Sequence, residues 1–104
     1  MSSDSFIYVI GVGDSPVKVG VAKNPQGRLY DLQISSPERM SLHHQLAVPA
    51  RLAKRIETAV HRDLHDSHRR GEWFDVTPDV AAESIERVAV RMVNAEGFGP
   101  GAWF

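Results

Sequence analysis

The chain has no cysteine among its 104 residues. That absence excludes disulfides and thiolate metal sites, so stability rests on packing, and it fits a reducing compartment. No apolar run approaches the roughly 20 residues that a membrane-spanning helix needs. The opening MSSDSFIYVIG lacks the basic flank and long apolar core of a secretory signal. A soluble, cytoplasmic protein is therefore expected. Internal repeats and low-complexity tracts are absent too, apart from the glycine-rich end GFGPGAWF. At this length, with 42% hydrophobic residues, there is room for one compact domain and no second. We expect that domain over residues 1–96, followed by a tail over 97–104.

What is present is uneven charge. The formal net charge of -1 conceals a basic middle, residues 18–70, where ten Lys and Arg face five Asp and Glu, flanked by acidic ends. Solvated helix faces account for such a pattern, but so does a surface that meets phosphates.

Residue order gives the elements. FIYVIGV, the turn residues GDSP and the alternating VKVGVA read as a β-hairpin. Asn24 and Pro25 supply an N-cap and a first helical residue, so a helix of about ten residues starts there, ended by SSP. MSLHHQLAV reads as a third strand, and ARLAKRIETAVHRDLHDS puts Leu52, Ile56, Ala59, Val60 and Leu64 on one helical stripe. EWFDV is a short aromatic segment. TPDVAAESIERVAVRMVNA repeats the cap-then-proline start and aligns Ala81, Ile85, Val88, Ala89, Met92 and Val93. The expected fold is a small α+β domain, a mainly antiparallel three-stranded sheet flanked by helices in the order ββαβα(β)α.

Inside VKVGVA the odd positions are all valine, so Lys18 and Gly20 share the other face of the strand. With Ile7 and Val9 joining the valines in the core, the hairpin register must set Tyr8 opposite Gly20 and Ile10 opposite Lys18, with Gly20 leaving space above Tyr8. Tyr8, Lys18, Gly20, Arg28 and Glu57, with GEWF at 71–74, resemble the GIY-YIG nuclease superfamily in order and spacing, and specifically a compact subgroup of phage and bacterial genomes. The resemblance covers most of residues 6–76. Phe6 stands where the first motif has glycine, and Lys18 where the second has tyrosine.

The resemblance implies a DNA endonuclease that needs Mg²⁺, with Mn²⁺ as substitute. Tyr8 is the general base for water, and Lys18 beside it favours the phenolate. Arg28 offers a planar fork for a phosphate, or else pairs with Asp31 or Glu57. Glu57, flanking the apolar stripe of its helix, supplies one carboxylate to the metal, at the rim of the core. His61 is included in the catalytic set, in contact with phosphate or with the site's own residues. The row Glu57, His61 and His65 at four-residue steps is a weaker metal arrangement. Lys23, Lys54, Arg69 and Arg70 are assigned to nucleic-acid phosphates. Trp73 and Phe74 read either as core aromatics, the commoner role, or as a nucleic-acid contact. The alternative function is a catalytically silent module on the same fold that binds nucleic acid or protein. So small a domain lacks an obvious DNA-targeting module, so either it cuts with little sequence preference or a homodimer or protein partner supplies specificity.

Overall fold

The structure is a computed structural model and describes residues 4–98. Strand β1 (Asp4–Gly11) and strand β2 (Val17–Ala22) form the hairpin, followed by helix α1 (Pro25–Ile34), strand β3 (Ser41–Pro49) and helix α2 (Ala50–Asp63). A 3-10 turn (His65–Ser67), two short strands β4 (His68–Arg70) and β5 (Trp73–Phe74), and helix α3 (Pro78–Phe98) complete the order. Helix α3 thus runs past the boundary expected at residue 96, and the rest of the glycine-rich end lies outside the described residues.

The sheet is antiparallel with strand order β3-β1-β2-β5-β4. The three long strands form the anticipated sheet, and β5 and β4 widen it to five. The hairpin register is the one the valine face demands, with Tyr8 opposite Gly20 and Ile10 opposite Lys18. Any one-residue slip would send Val17 and Val19 to the wrong face. Both are fully buried, together with Ile7 and Val9.

These four meet the stripes of α2 (Leu52, Ile56, Val60) and α3 (Ala81, Ile85, Val88, Ala89) in one core cluster that also takes in Phe74. Each buried aliphatic side chain of this kind contributes about 1.5–3 kcal/mol of transfer free energy. Helix α1 lies on the opposite face, where Tyr8 is. Its N-terminus is fixed as anticipated: the Asn24 side chain accepts a hydrogen bond from the Gly27 amide at 3.2 Å, and Pro25 follows. In α1 only Pro25 is buried, so capping and a few edge contacts hold a helix that adds little to the core.

Candidate active site

The site begins with a missing side chain. A Cβ on Gly20 would lie 2.5 Å from the Tyr8 hydroxyl oxygen and 2.7 Å from Cζ, so the Tyr8 ring extends over β2 only because residue 20 is glycine. Tyr8 is fully buried. Its hydroxyl accepts a hydrogen bond from Arg28 Nε at 3.4 Å, which carries α1 onto the hairpin. The hydrogen bond and charge of Tyr8 raise the Arg28 pKa above the usual value, against a small cost of desolvation, with Glu72 and Asp31 adding attraction.

Lys18 was expected to act on Tyr8. Its ammonium instead bridges to Glu72 Oε1 at 2.9 Å, and the cation on the phenol oxygen is Arg28. Reach explains the exchange. The carboxylate of Glu72 arrives over the same gap, 3.1 Å from the place a Gly20 Cβ would occupy, and gives Lys18 an opposite charge at 2.9 Å.

Glu72 is the residue that reading the sequence missed. It was noted only as a letter of GEWF, although a glutamate beside a strand that pairs with β2 was the signal. Strand β5 pairs with Val17 and Lys18 alone, and just before it the Val19 amide donates to the Glu72 carbonyl at 3.0 Å. That short pairing leaves the end of β2 open, and Glu57 of α2, from the layer beneath, is among the groups that act on Glu72. Burial alone would raise the Glu72 carboxyl pKa. Lys18, through its hydrogen bond and charge, with the Glu57 hydrogen bond and the charge of His61, outweighs burial and holds it below the ordinary carboxylate range.

Glu57 was placed at the rim of the core with little packing to lose, but it is only 3% exposed. A buried carboxylate needs a partner, and Lys54 provides it at 2.9 Å, with its own side chain 82% exposed. Hydrogen bonding to Glu57, and the charge of Glu57, raise the Lys54 pKa. Lys54 therefore serves this carboxylate rather than standing free for phosphate.

His61 lies on α2 one turn beyond Glu57. Its Nε2 donates to the Val19 carbonyl at 2.9 Å and its ring packs 4.9 Å from that of Phe74, so it ties α2 to β2 beside the site. The row of Glu57, His61 and His65 does not close into a metal centre: among the described residues no group of three or more His, Asp or Glu side chains could hold an ion. Lys23 is exposed at the junction of β2 and α1. Arg69 pairs with Asp75 at 3.0 Å. Arg70 stands opposite Trp73 in the β4–β5 hairpin, and the two aromatics separate, Phe74 into the core and Trp73 to the other face beside Lys18.

Tyr8, Lys18, Arg28, Glu57 and Glu72 thus come from five separate stretches of chain into one network of hydrogen bonds and charges. The T5orf172 domain matches residues 5–89, which takes in all of them. The chain belongs to the T5orf172 domain family. This domain occurs in nuclease-like proteins of phage and bacteria, which associates the chain with nuclease-like action and with DNA. No curated protein and no solved structure matches it. Among the described residues of this T5orf172 domain, no helix is long and apolar enough to cross a membrane.

Proposed function

We propose that the chain is a metal-dependent DNA endonuclease of the GIY-YIG type, hydrolysing phosphodiester bonds. The observation that carries this reading is the meeting of Tyr8, Arg28 and Glu72 over Gly20, with the buried Glu57 carboxylate acting on Glu72 from α2. Phosphodiester hydrolysis requires a proton acceptor for water, positive charge on the phosphate and stabilisation of the leaving oxygen. Tyr8 takes the proton. The Arg28 guanidinium bonded to its oxygen fixes the hydroxyl in place and brings positive charge to the same spot. Arg28 is exposed and uses one N–H on Tyr8, so the rest of its fork is left for two phosphate oxygens.

The donor set fits Mg²⁺ or Mn²⁺: two carboxylates from different elements, one of them buried, are the hard oxygen ligands such ions take alongside water and substrate phosphate. Glu57 and Glu72 would hold the ion, which when bound neutralises the phosphate and stabilises the leaving oxygen. Lys18 and Lys54 balance the same carboxylates when it is absent. His61 keeps α2, and with it Glu57, in register with β2.

The test is plasmid DNA incubated with purified protein, with and without Mg²⁺ or Mn²⁺. Glu57→Ala should abolish metal-dependent cleavage by orders of magnitude while DNA binding survives or tightens, because a negative charge leaves the phosphate path. Cleavage at the parent rate by a folded Glu57→Ala protein would overturn the metal assignment. One observation favours a second reading, a silent DNA-binding module: the ammonium groups of Lys18 and Lys54 already occupy the carboxylates. A parent that binds DNA but never cuts it with either metal establishes that reading.

A further inference from the structure

On the face of the sheet that carries Tyr8, an open groove of about 380 Å³ runs beside Trp73. Its walls are Val12 and Pro16 of the β1–β2 turn, Met40 and Trp73, and Arg69 and Arg70 also line it. We propose that this groove receives an unpaired nucleobase of the strand whose phosphate lies at Arg28, an inference that rests on the nuclease reading and names its substrate class as DNA with single-stranded character. Three observations carry it.

The first is continuity. Trp73 is the cross-strand neighbour of Lys18, and Tyr8 lies one strand further on. Neighbouring strands are about 4.8 Å apart and residues about 3.3 Å, so Trp73 and the Tyr8–Arg28 pair, two strands and two residues apart, lie roughly 12 Å from each other along the sheet, a distance a short single strand spans. The second is wall chemistry. An aromatic with aliphatic neighbours suits the face of a base, which stacks regardless of sequence, whereas the sugar-phosphate backbone of a duplex would find nothing to bond on Val12, Pro16 and Met40. The third is charge. Arg70 stands directly opposite Trp73 in the β4–β5 hairpin, so a cation accompanies the stacking surface, while Arg69 is balanced by Asp75. A paired base presents its edge to a protein and keeps its face in the stack, so only an unpaired one enters such a groove.

The experiment uses the full chain carrying Trp103→Phe, which leaves Trp73 as its single tryptophan. In metal-free buffer its fluorescence is titrated with oligodeoxythymidine, a duplex of equal length, and inorganic polyphosphate as charge without bases. The single strand should quench Trp73 and bind more tightly than the duplex. By mobility shift, Trp73→Leu should weaken single-strand binding about tenfold and, by competition, leave polyphosphate binding within about twofold. Equal quenching by polyphosphate, no quenching by the single strand, or equal losses for every ligand in Trp73→Leu would overturn the proposal. If Trp73→Leu lacks the circular dichroism of the parent, the quenching comparison on the Trp103→Phe chain decides alone. Cleavage is scored separately: Trp73 quenched by single strands in a protein that never cuts with metal refutes the nuclease and keeps the base site.

Discussion

The face of the sheet beneath α2 and α3 is built from side chains, whereas the face beneath α1 is built around the lack of one. On the first, Ile7, Val9, Val17 and Val19 meet two helical stripes and bury everything they carry. On the second, Gly20 makes room, a buried tyrosine fills it, and charged groups from α1 and the segment before β5 close over the gap. The first face works by volume and tolerates any arrangement of methyl groups that fills it. The second works by position, and its groups are useful only at hydrogen-bond distance from one another. The bulk of the packing thus lies on one side of the strand pair and the Tyr8–Arg28–Lys18–Glu72 cluster on the other, with only Glu57 crossing from α2.

That division can be broken from either side. Ile56→Ala removes a fully buried side chain from the packed face and should cost about 2–5 kcal/mol in denaturant unfolding, with DNA binding per folded molecule unchanged. Gly20→Ala tests the other face by addition. Its Cβ would overlap Tyr8, so about 1–3 kcal/mol should be lost to overpacking, together with cleavage in the folded fraction. A Gly20→Ala protein that melts and cuts like the parent would show that the gap has no function.

Two smaller effects sharpen the comparison. Asn24→Ala deletes the cap of α1, and a loss of about 1 kcal/mol is expected by thermal or denaturant unfolding. Helix α1 buries so little that this loss should also loosen Arg28, with substrate affinity falling more than stability alone explains. The smallest effect is on pH. Because the Glu72 pKa is lower in the folded protein than unfolded, its contribution is present above the unfolded value and disappears as pH falls through the folded one. Glu72 is half-exposed, so solvent screening limits this to a few tenths of a kcal/mol. The stability difference between the parent and Glu72→Gln should shrink on acidification through the carboxylate range, and a difference independent of pH would remove Lys18 as its cause.

The packed face was legible in the sequence because its information is periodic. Alternating valines fixed the hairpin register to the residue, and three- and four-residue spacing fixed the buried stripes of α2 and α3. Asn24-Pro25 marked the start of α1 for a similarly local reason. The residues of the site face were legible as types, and their bonds were not. Lys18 was paired in expectation with the nearest group on its own hairpin, whereas its partner is 54 residues away. Strands β4 and β5 are three and two residues long and too short for any period to show, and it is the turn between them that delivers Glu72. Glu57 looked peripheral on its helix because a helical wheel contains no second element. The carboxylate before β5 and the lysine one turn earlier make it a buried centre.

The spread of the site along the chain has a consequence for synthesis. Arg28 is 20 residues from Tyr8, His61 42 from the strand it braces, and Glu72 54 from Lys18. A growing polypeptide on the ribosome cannot bring both carboxylates together until residue 72 of 104 has emerged and the sheet has closed around it. Chains that stop short of residue 72 therefore lack one of the two carboxylates and the partner of Lys18. On the nuclease reading proposed above, such a site stays incomplete until the last strand pair has formed.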